Sequence, residues 1–357
     1  MLFKDILMDV IFDAFVGVLL MVLVLIAGLL YYSFYLLKKI NKTLTWSQQI
    51  DQHVSEAIVY GIKEDEKQAK SFSQFSQNSS FRNLFLEKLI ASEKKFSGAA
   101  HHEVNKLFQD FHLEKETQKK LNQKQPYLIA GGLQEVASMH VESEIPKIAA
   151  LLNHPSPLVY QEAQYAMVSF KGFDGLAFLD TVYTKISEWQ QLRLLLSVTA
   201  IPKNSDKAIN NWLRSTNNSV IIFTLRLLRK FQMLSFYPQV LNLLDHSSEK
   251  VRIQAVQTLQ SLENSSTVNH LIESYPDQTP DVQAEIIRVL KISRDQRCVD
   301  FLKKQLTDHS FSKLKIFAAE ALFSLGHSDY LINLAKDQSS PEQLTQIVNH
   351  SMQLKLC

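Results

Sequence analysis

VRIQAVQTLQSL, residues 251–262, sets Val251, Ala255 and Leu259 four positions apart, which places them on one stripe of a helix. The same phrase returns as LIAGGLQEVASM from Leu128, VYQEAQYAMVSF from Val159, QQLRLLLSVTAI from Gln190 and VIIFTLRLLRKF from Val220. It continues as VQAEIIRVLKIS from Val282 and LKIFAAEALFSL from Leu314. The starts lie 31, 31, 30, 31, 31 and 32 residues apart, the period of an architecture built by repeating one supersecondary unit. The fifth position reads Gly132, Ala163, Leu194, Thr224, Ala255, Ile286 and Ala318, and the ninth Val136, Met167, Val198, Leu228, Leu259, Leu290 and Leu322. Small side chains at the fifth position let a neighbouring helix approach, and larger ones at the ninth fill the space between pairs.

Between the phrases a second apolar pattern recurs: Ile145, Ile148, Leu151 and Leu152; Val240, Leu241, Leu243 and Leu244; Val299, Phe301, Leu302 and Leu306. Each unit is therefore read as a helical hairpin. A hairpin alone cannot bury both apolar faces, but stacked hairpins bury a continuous ridge, so stability becomes a sum over neighbours. Nine glycines and nine prolines in 357 residues leave little material for a turn-rich β architecture or for phosphate-cradling loops.

VRIQAVQTLQSL after LNLLDHSSEK resembles the HEAT repeat, a helix ending in paired leucines, an acidic turn, and a second helix opening with Val-Arg. LKIFAAEALFSLG after QLTDHSFSK resembles the same unit, and the likeness covers roughly residues 126–340. It implies an all-α chain with a right-handed α-solenoid of HEAT-like hairpins. Gln190 and Thr224 depart from the apolar and small-residue pattern in the middle units. Tetratricopeptide repeats have a longer period and a Trp, Gly, Tyr and Pro pattern that is missing here.

Working outward, AFVGVLLMVLVLIAGLLYYSFYLL, residues 14–37, carries no ionisable acid or base. As a helix it is about 36 Å long, enough to cross a bilayer, and Tyr31, Tyr32 and Tyr35 suit an interfacial aromatic belt. No small-x-small cleavage site follows, so the segment is read as a retained anchor. Asp5, Asp9 and Asp13 precede it with only Lys4, whereas Lys38, Lys39 and Lys42 follow it. The positive-inside rule then puts residues 38–357 in the cytoplasm and residues 1–13 outside. KEDEKQAK (63–70) and SFSQFSQNSS (71–80) read as a hinge, and 38–80 as a juxtamembrane stalk. Phe81, Leu84, Phe85, Leu89 and Ile90, then Val104, Leu107, Phe108 and Phe111, mark two amphipathic helices broken at Gly98. Residues 81–125 are expected to cap the array of 126–340, with 341–357 as a C-terminal capping helix.

A formal charge of +2, from 38 basic and 36 acidic residues, leaves no excess that would favour nucleic acid. Cys298 and Cys357 have neither disulfide-framework nor metal spacing. Asp245-His246-Ser247 and Asp308-His309-Ser310 suggest a hydrolase triad, yet adjacent residues in a tight turn cannot form a relay. They are read as turns, Asp or Ser capping the next helix and His closing the previous one, with His154 at the equivalent place. His101, His102 and Glu103 lack zinc-ligand spacing and are read as an exposed pair with a neighbouring acid. Gly131-Gly132 is read as close packing. No catalytic, cofactor-binding or metal constellation is expected, and the chain is read as a non-enzyme.

In such an array the second helices line the concave side, where the seventh position of the phrase reads Gln134, Tyr165, Leu196, Arg226, Gln257, Arg288 and Glu320. Tyr160, Tyr165, Arg226, Arg229, Gln257, Arg288 and Lys291 are the candidate partner-binding residues, a mix of stacking and hydrogen-bonding groups suited to a protein. An anchor, a polar connector and this array together resemble bacterial membrane-anchored HEAT-repeat proteins associated with family 2 glycosyltransferases. The stretches that carry this are KISEWQQLRLLL (185–196) and NNWLRSTNNSVIIFTLRLL (210–228). The resemblance implies an inner-membrane scaffold holding a membrane glycosyltransferase in envelope polysaccharide synthesis or export. The alternative is a HEAT-like DNA glycosylase kind of protein, for which Arg226, Arg229, Lys230, Arg288 and Lys291 are few and diluted by acids. A bilin-lyase-like protein would need a chromophore partner that nothing in the sequence signals.

Overall fold

The computed structural model describes residues 2–61, 72, 75–93, 95–96, 98–262, 264–337 and 341–353, with backbone alone for 2–14, 99 and 353. Every regular element among them is helical, and no strand occurs among the described residues. Two compact units form, residues 1–166 and 167–357.

The first unit begins with α1, Leu2–Tyr60, one uninterrupted helix of 59 residues. It is long and apolar enough to cross a membrane, with a peak mean hydropathy of 2.6 over a stretch that packs against nothing in the protein. Its character changes at Trp46. From there Trp46, Ile50, Val54 and Ala57 are buried at spacings of four, four and three, so one face enters a core while the others stay polar. The partners are α2, Ser79–Glu93, and α3, Ala99–Asp110, which contact α1 and each other. The expected stalk is thus corrected: residues 46–57 are a core helix of the first unit. Phe72 and Phe75 correct the reading of 71–80 as plain hinge. Phe72 is buried, stacked on His53 at 4.4 Å and edge-on to Phe81, Phe85 and Phe111 at 5.1–5.2 Å. Such edge-to-face pairs add to simple area burial. The expected hinge residues 62–71, 73 and 74 lie outside the described residues.

The unit continues through α4, Glu114–Leu121, α5, Pro126–Ser138, and α6, Ile145–Leu151. Gly132 accounts for the close approach of α4 and α5, since a Cβ there would lie 3.1 Å from the Leu121 amide nitrogen and Cδ2 and from Lys120 Cβ. The unit boundary falls within α7, Pro157–Lys171.

The second unit holds a 3-10 stretch, Gly172–Asp180, then α8, Glu188–Ser197, and five stacked hairpins. The outer helices are α9 (Asp206–Leu213), α11 (Tyr237–Asn242), α13 (Thr267–Ser274), α15 (Val299–Asp308) and α17 (Ser328–Lys336). The inner helices are α10 (Asn218–Lys230), α12 (Glu249–Ser261), α14 (Pro280–Ser293), α16 (Ser312–Ser324) and α18 (Glu342–Gln353). Each inner helix packs on the inner helix of the next hairpin and on its own outer partner.

The repeated phrase maps onto this order residue for residue, because in all seven copies it starts at the third residue of its helix. Positions one, five and nine are buried in every copy except at Leu128, which is half-buried. Of the two departures, Thr224 is accommodated by a side-chain hydrogen bond. Thr224 turns its hydroxyl back on the Val220 carbonyl at 2.8 Å, satisfying a polar group that burial would otherwise penalise. Gln190 is buried on α8, and its backbone N–H is capped by Ser187 Oγ at 3.2 Å. Helices that carry the phrase end on a left-handed residue at His140, Gly172, Gln232, Arg294 and Gly326. That conformation releases the last carbonyls into short closing bonds, at a cost of about 1–2 kcal/mol where the residue is not glycine.

Candidate functional site

The exposed edges of the inner helices in the second unit carry two adjoining cavities that share Ile253. The first, of about 710 Å³, lies between α8, α10 and α12 and is floored by amides. Asn217 builds its wall. Its Oδ1 accepts from Ser219 N (3.1 Å) and Ser219 Oγ (2.7 Å), and its Nδ2 donates to the Val182 and Thr184 carbonyls at 3.2 and 2.9 Å. Ser219 Oγ in turn accepts the Ile186 N–H at 2.9 Å, so the loop before α8 is tied to the start of α10. Arg226 crosses the floor, donating to Gln254 Oε1 and to Gln191 Oε1, both at 3.0 Å, and so bridges α8, α10 and α12.

The second cavity, of about 490 Å³, lies between α12, α14 and α16, and its charges are paired within it. Arg288 makes a two-pronged bond to Glu285, with Nε at 2.8 Å. Lys291 bonds Glu320 at 2.7 Å, and Lys313 approaches Asp281 at 3.4 Å. Burial alone would raise the Glu285 carboxyl. Hydrogen bonds from Arg288 and Gln257 and the charges of Arg288 and Arg229 outweigh it and hold the carboxyl below the usual range.

Of the seven candidate residues, Arg226 and Gln257 line the first cavity, and Arg288 and Lys291 the second. Arg229 is exposed and acts on Glu285 through its charge. Tyr160 and Tyr165 are half-buried on the first-unit part of α7 and line neither cavity. Glu285, on which Arg229, Gln257 and Arg288 converge, was not among the candidates. Its place one turn before Arg288 was the available signal. Gln191, Gln254 and Asn217 were missed as well, because nothing in the spacing distinguishes an amide that bridges helices from one that faces water.

The histidine turns hold a different bond from the one expected. His154, His246 and His309 each accept through Nδ1 from the backbone N–H two residues on, Ser156, Ser248 and Phe311, at 3.1, 3.0 and 3.0 Å. The imidazole itself closes the turn. Asp245 and Asp308 cap neither following helix, and Ser248 makes no side-chain cap bond. An Nδ1 acceptor requires the neutral ring protonated at Nε2. His309 is lowered by burial and by Lys315, which favours that neutral form.

His101 engages Asn105 at 2.9 Å and Glu93 at 3.4 Å, and no group of three or more His, Cys, Asp or Glu with metal-holding geometry occurs among the described residues. Cys298 is buried and donates to the Asp295 carbonyl at 2.9 Å, and Cys357 lies outside the described residues.

No family model matches the sequence, and no curated protein matches it. Among solved structures, an engineered protein is similar at 15% identity with a TM-score of 0.34, over 85% of this chain and 88% of that one. Human deoxyhypusine hydroxylase in complex with glycerol is similar at 13% identity and a TM-score of 0.29, over 88% of this chain and 98% of that one. The complex of CpcE and CpcF of phycocyanin lyase from Nostoc sp. PCC7120 is similar at 11% identity and a TM-score of 0.26, over 75% and 94%. The architecture stands on the helix order and packing described above.

Proposed function

We propose that this chain is a non-catalytic scaffold, anchored in a membrane by residues 14–37, that holds a protein partner on the inner-helix face of a right-handed, HEAT-like array. The observation that carries the reading is the pair of adjoining cavities along α8, α10, α12, α14 and α16, concave and lined by hydrogen-bonding and charged side chains. Such a surface supplies the polar contacts and shape complementarity of a protein interface. The helix α1 supports the anchor, because its apolar surface from Phe15 to Leu44 is exposed on every side. We further propose a bacterial inner-membrane setting, with the N-terminus outside and the partner a membrane glycosyltransferase of envelope polysaccharide synthesis or export.

The nucleic-acid reading is the weaker one. Arg288 and Lys291 are paired with Glu285 and Glu320, and Lys230 donates to the Leu195 and Val198 carbonyls, so few of the basic groups remain for phosphates. In-cell cross-linking followed by purification of the tagged full-length chain tests the scaffold. A stoichiometric partner is expected, and recovery of the chain alone would overturn the reading. A partner other than a glycosyltransferase would overturn only the finer part.

A further inference from the structure

Helix α8 is apolar on the side turned away from its core. Gln190, Gln191 and Leu194 are buried, whereas Trp189, Leu192 and Leu196, at spacings of three and four, are 69%, 47% and 69% exposed. Tyr183, in the loop before the helix, is 85% exposed. Of the three tryptophans, Trp46 and Trp212 are core residues, so Trp189 is the one facing solvent. A helix at the surface ordinarily shows polar groups there, and a contiguous exposed apolar stripe marks a contact surface.

The stripe borders the first cavity, since Glu188 and Gln191 of the same helix line it. That cavity is lined by three basic residues, Lys185, Arg226 and Lys250, against the single acid Glu188. Neither Lys185 nor Lys250 is ion-paired among the described residues, and Arg226 is held by neutral amides. The second cavity differs, because its three bases and three acids neutralise one another. The positive charge free to meet a ligand is therefore concentrated beside the apolar stripe.

We infer that the α8 stripe and the first cavity form one docking site for an acidic segment of a protein partner. Carboxylates of the segment meet Lys185, Arg226 and Lys250 while its aromatic or aliphatic side chains cover Trp189, Leu192 and Leu196. This rests on the scaffold reading and names the chemistry of the partner. Amide side chains such as Asn218 and Gln257 match the main chain of a bound peptide, which a lipid lacks. A concave floor also leaves a flat bilayer out of reach. A second copy of the chain would set like charge against like charge around a two-fold axis.

Selection of random linear peptides on the full-length chain in nanodiscs tests the inference. The enriched pool is expected to be net acidic and to contain aromatic or leucine residues. A synthesised member should move Trp189 emission to the blue, read as the difference from a Trp189→Phe variant. It should bind roughly thirtyfold more weakly to Trp189→Ala and roughly tenfold more weakly to Lys250→Glu, with affinity falling as salt rises. Both residues lie at the surface, and unchanged thermal unfolding confirms that the variants fold. No enrichment, a neutral or basic pool, or binding indifferent to both substitutions would overturn the site. A blue shift produced by anionic phosphatidylglycerol nanodiscs without peptide would give the stripe to lipid, and self-association lost in Trp189→Ala would give it to a second copy; each overturns the inference. If cross-linked partner is recovered undiminished with Trp189→Ala and Lys250→Glu, this site is wrong and the scaffold reading survives. Recovery of no partner by the unaltered chain sinks that reading itself.

Discussion

Replacing Arg82 with methionine should loosen α2 from α4 and from the turn that joins α3 to α4. Arg82 Nε donates to Glu116 at 2.7 Å, and its terminal nitrogens donate to the Phe111 and His112 carbonyls at 2.9 and 2.7 Å. One guanidinium thereby holds α2, the left-handed turn at His112 and α4 together. The Glu116 side chain is 3% exposed, so it depends on its partners for charge compensation. Methionine keeps most of the aliphatic stem and removes every donor. Loss of the charge-assisted bond costs about 2 kcal/mol and the two carbonyls about 1 kcal/mol each. Lys119, 3.0 Å from Glu116 and mostly exposed, offsets about 1 kcal/mol. The net is about 3 kcal/mol, within reach of the range for breaking a buried pair. At 1.4 kcal/mol per decade this is about a hundredfold faster amide exchange across α2 and α4, which hydrogen-exchange mass spectrometry of the full chain in detergent resolves segment by segment. Glu116→Gln added to Arg82→Met should restore part of the protection, because the buried charge is gone. The pH response has a definite sign. Burial would raise the Glu116 carboxyl, but bonds and charges from Arg82 and Lys119 prevail and set it below its ordinary 4.5. Its contribution is therefore complete above that value and is lost as the pH falls through the depressed folded value. Arg82→Met should flatten this acid dependence. A rise in exchange smaller than about fivefold would show that Lys119 and water suffice and that the guanidinium is not the clamp described.

Gly175→Ala should lower thermal stability by about 3 kcal/mol, because its Cβ would lie 2.5 Å from the Met167 carbonyl oxygen and 2.7 Å from Val168 Cα, backbone that no rotamer change can move; an unshifted melting curve would contradict this. Cys298, pushed up to about 11 by burial and then by Asp295, should resist alkylation at pH 8 in the folded chain and react once unfolded, as peptide mass mapping would read; rapid native-state labelling would count against it. His309 is depressed below its ordinary 6.5, so the folded state disfavours the protonated ring and stability should decline as the pH falls from 6.5 through the folded value. His309→Asn, whose amide oxygen can accept the same Phe311 N–H, should show a shallower decline between pH 7 and 5, and parallel melting curves would refute the role given to Nδ1.

The repeat was legible because packing between identical neighbours imposes one residue pattern at every copy. Val251, Ala255 and Leu259 must face the next hairpin, and so must Val282, Ile286 and Leu290, which makes helix positions readable to within two residues. The long apolar stretch of α1 was legible as well, since a helix that is apolar on every side shows itself in composition alone. The core face of α1 from Trp46 to Ala57 was harder to see, because its four buried residues are interspersed with Gln48, Gln49, Asp51, Gln52 and Ser55. What those four residues meet is Phe72, Phe81, Phe85 and Phe108, far along the chain, and a helix period alone does not say which helix is its partner.

The candidate site divides in the same way. Arg226, Gln257 and Arg288 share the seventh position of the phrase, and the fold puts Arg226 and Gln257 in the first cavity and Arg288 in the second, while Tyr165 and Leu196 at the same position line neither. Which of them are free was decided by the fold. Arg288 is held by Glu285 one turn earlier, a pairing local to its own helix. Lys291 is held by Glu320 of the next inner helix, and Lys185 and Lys250 from two different elements are left beside the exposed stripe of α8. Sequence by itself determined the helix, its register and its buried stripe, all local consequences of a period near four residues. Charge pairing between helices and surface character were decided by tertiary structure, because they depend on distances of a few ångströms between side chains about thirty residues apart, as for Lys291 with Glu320 and Lys313 with Asp281.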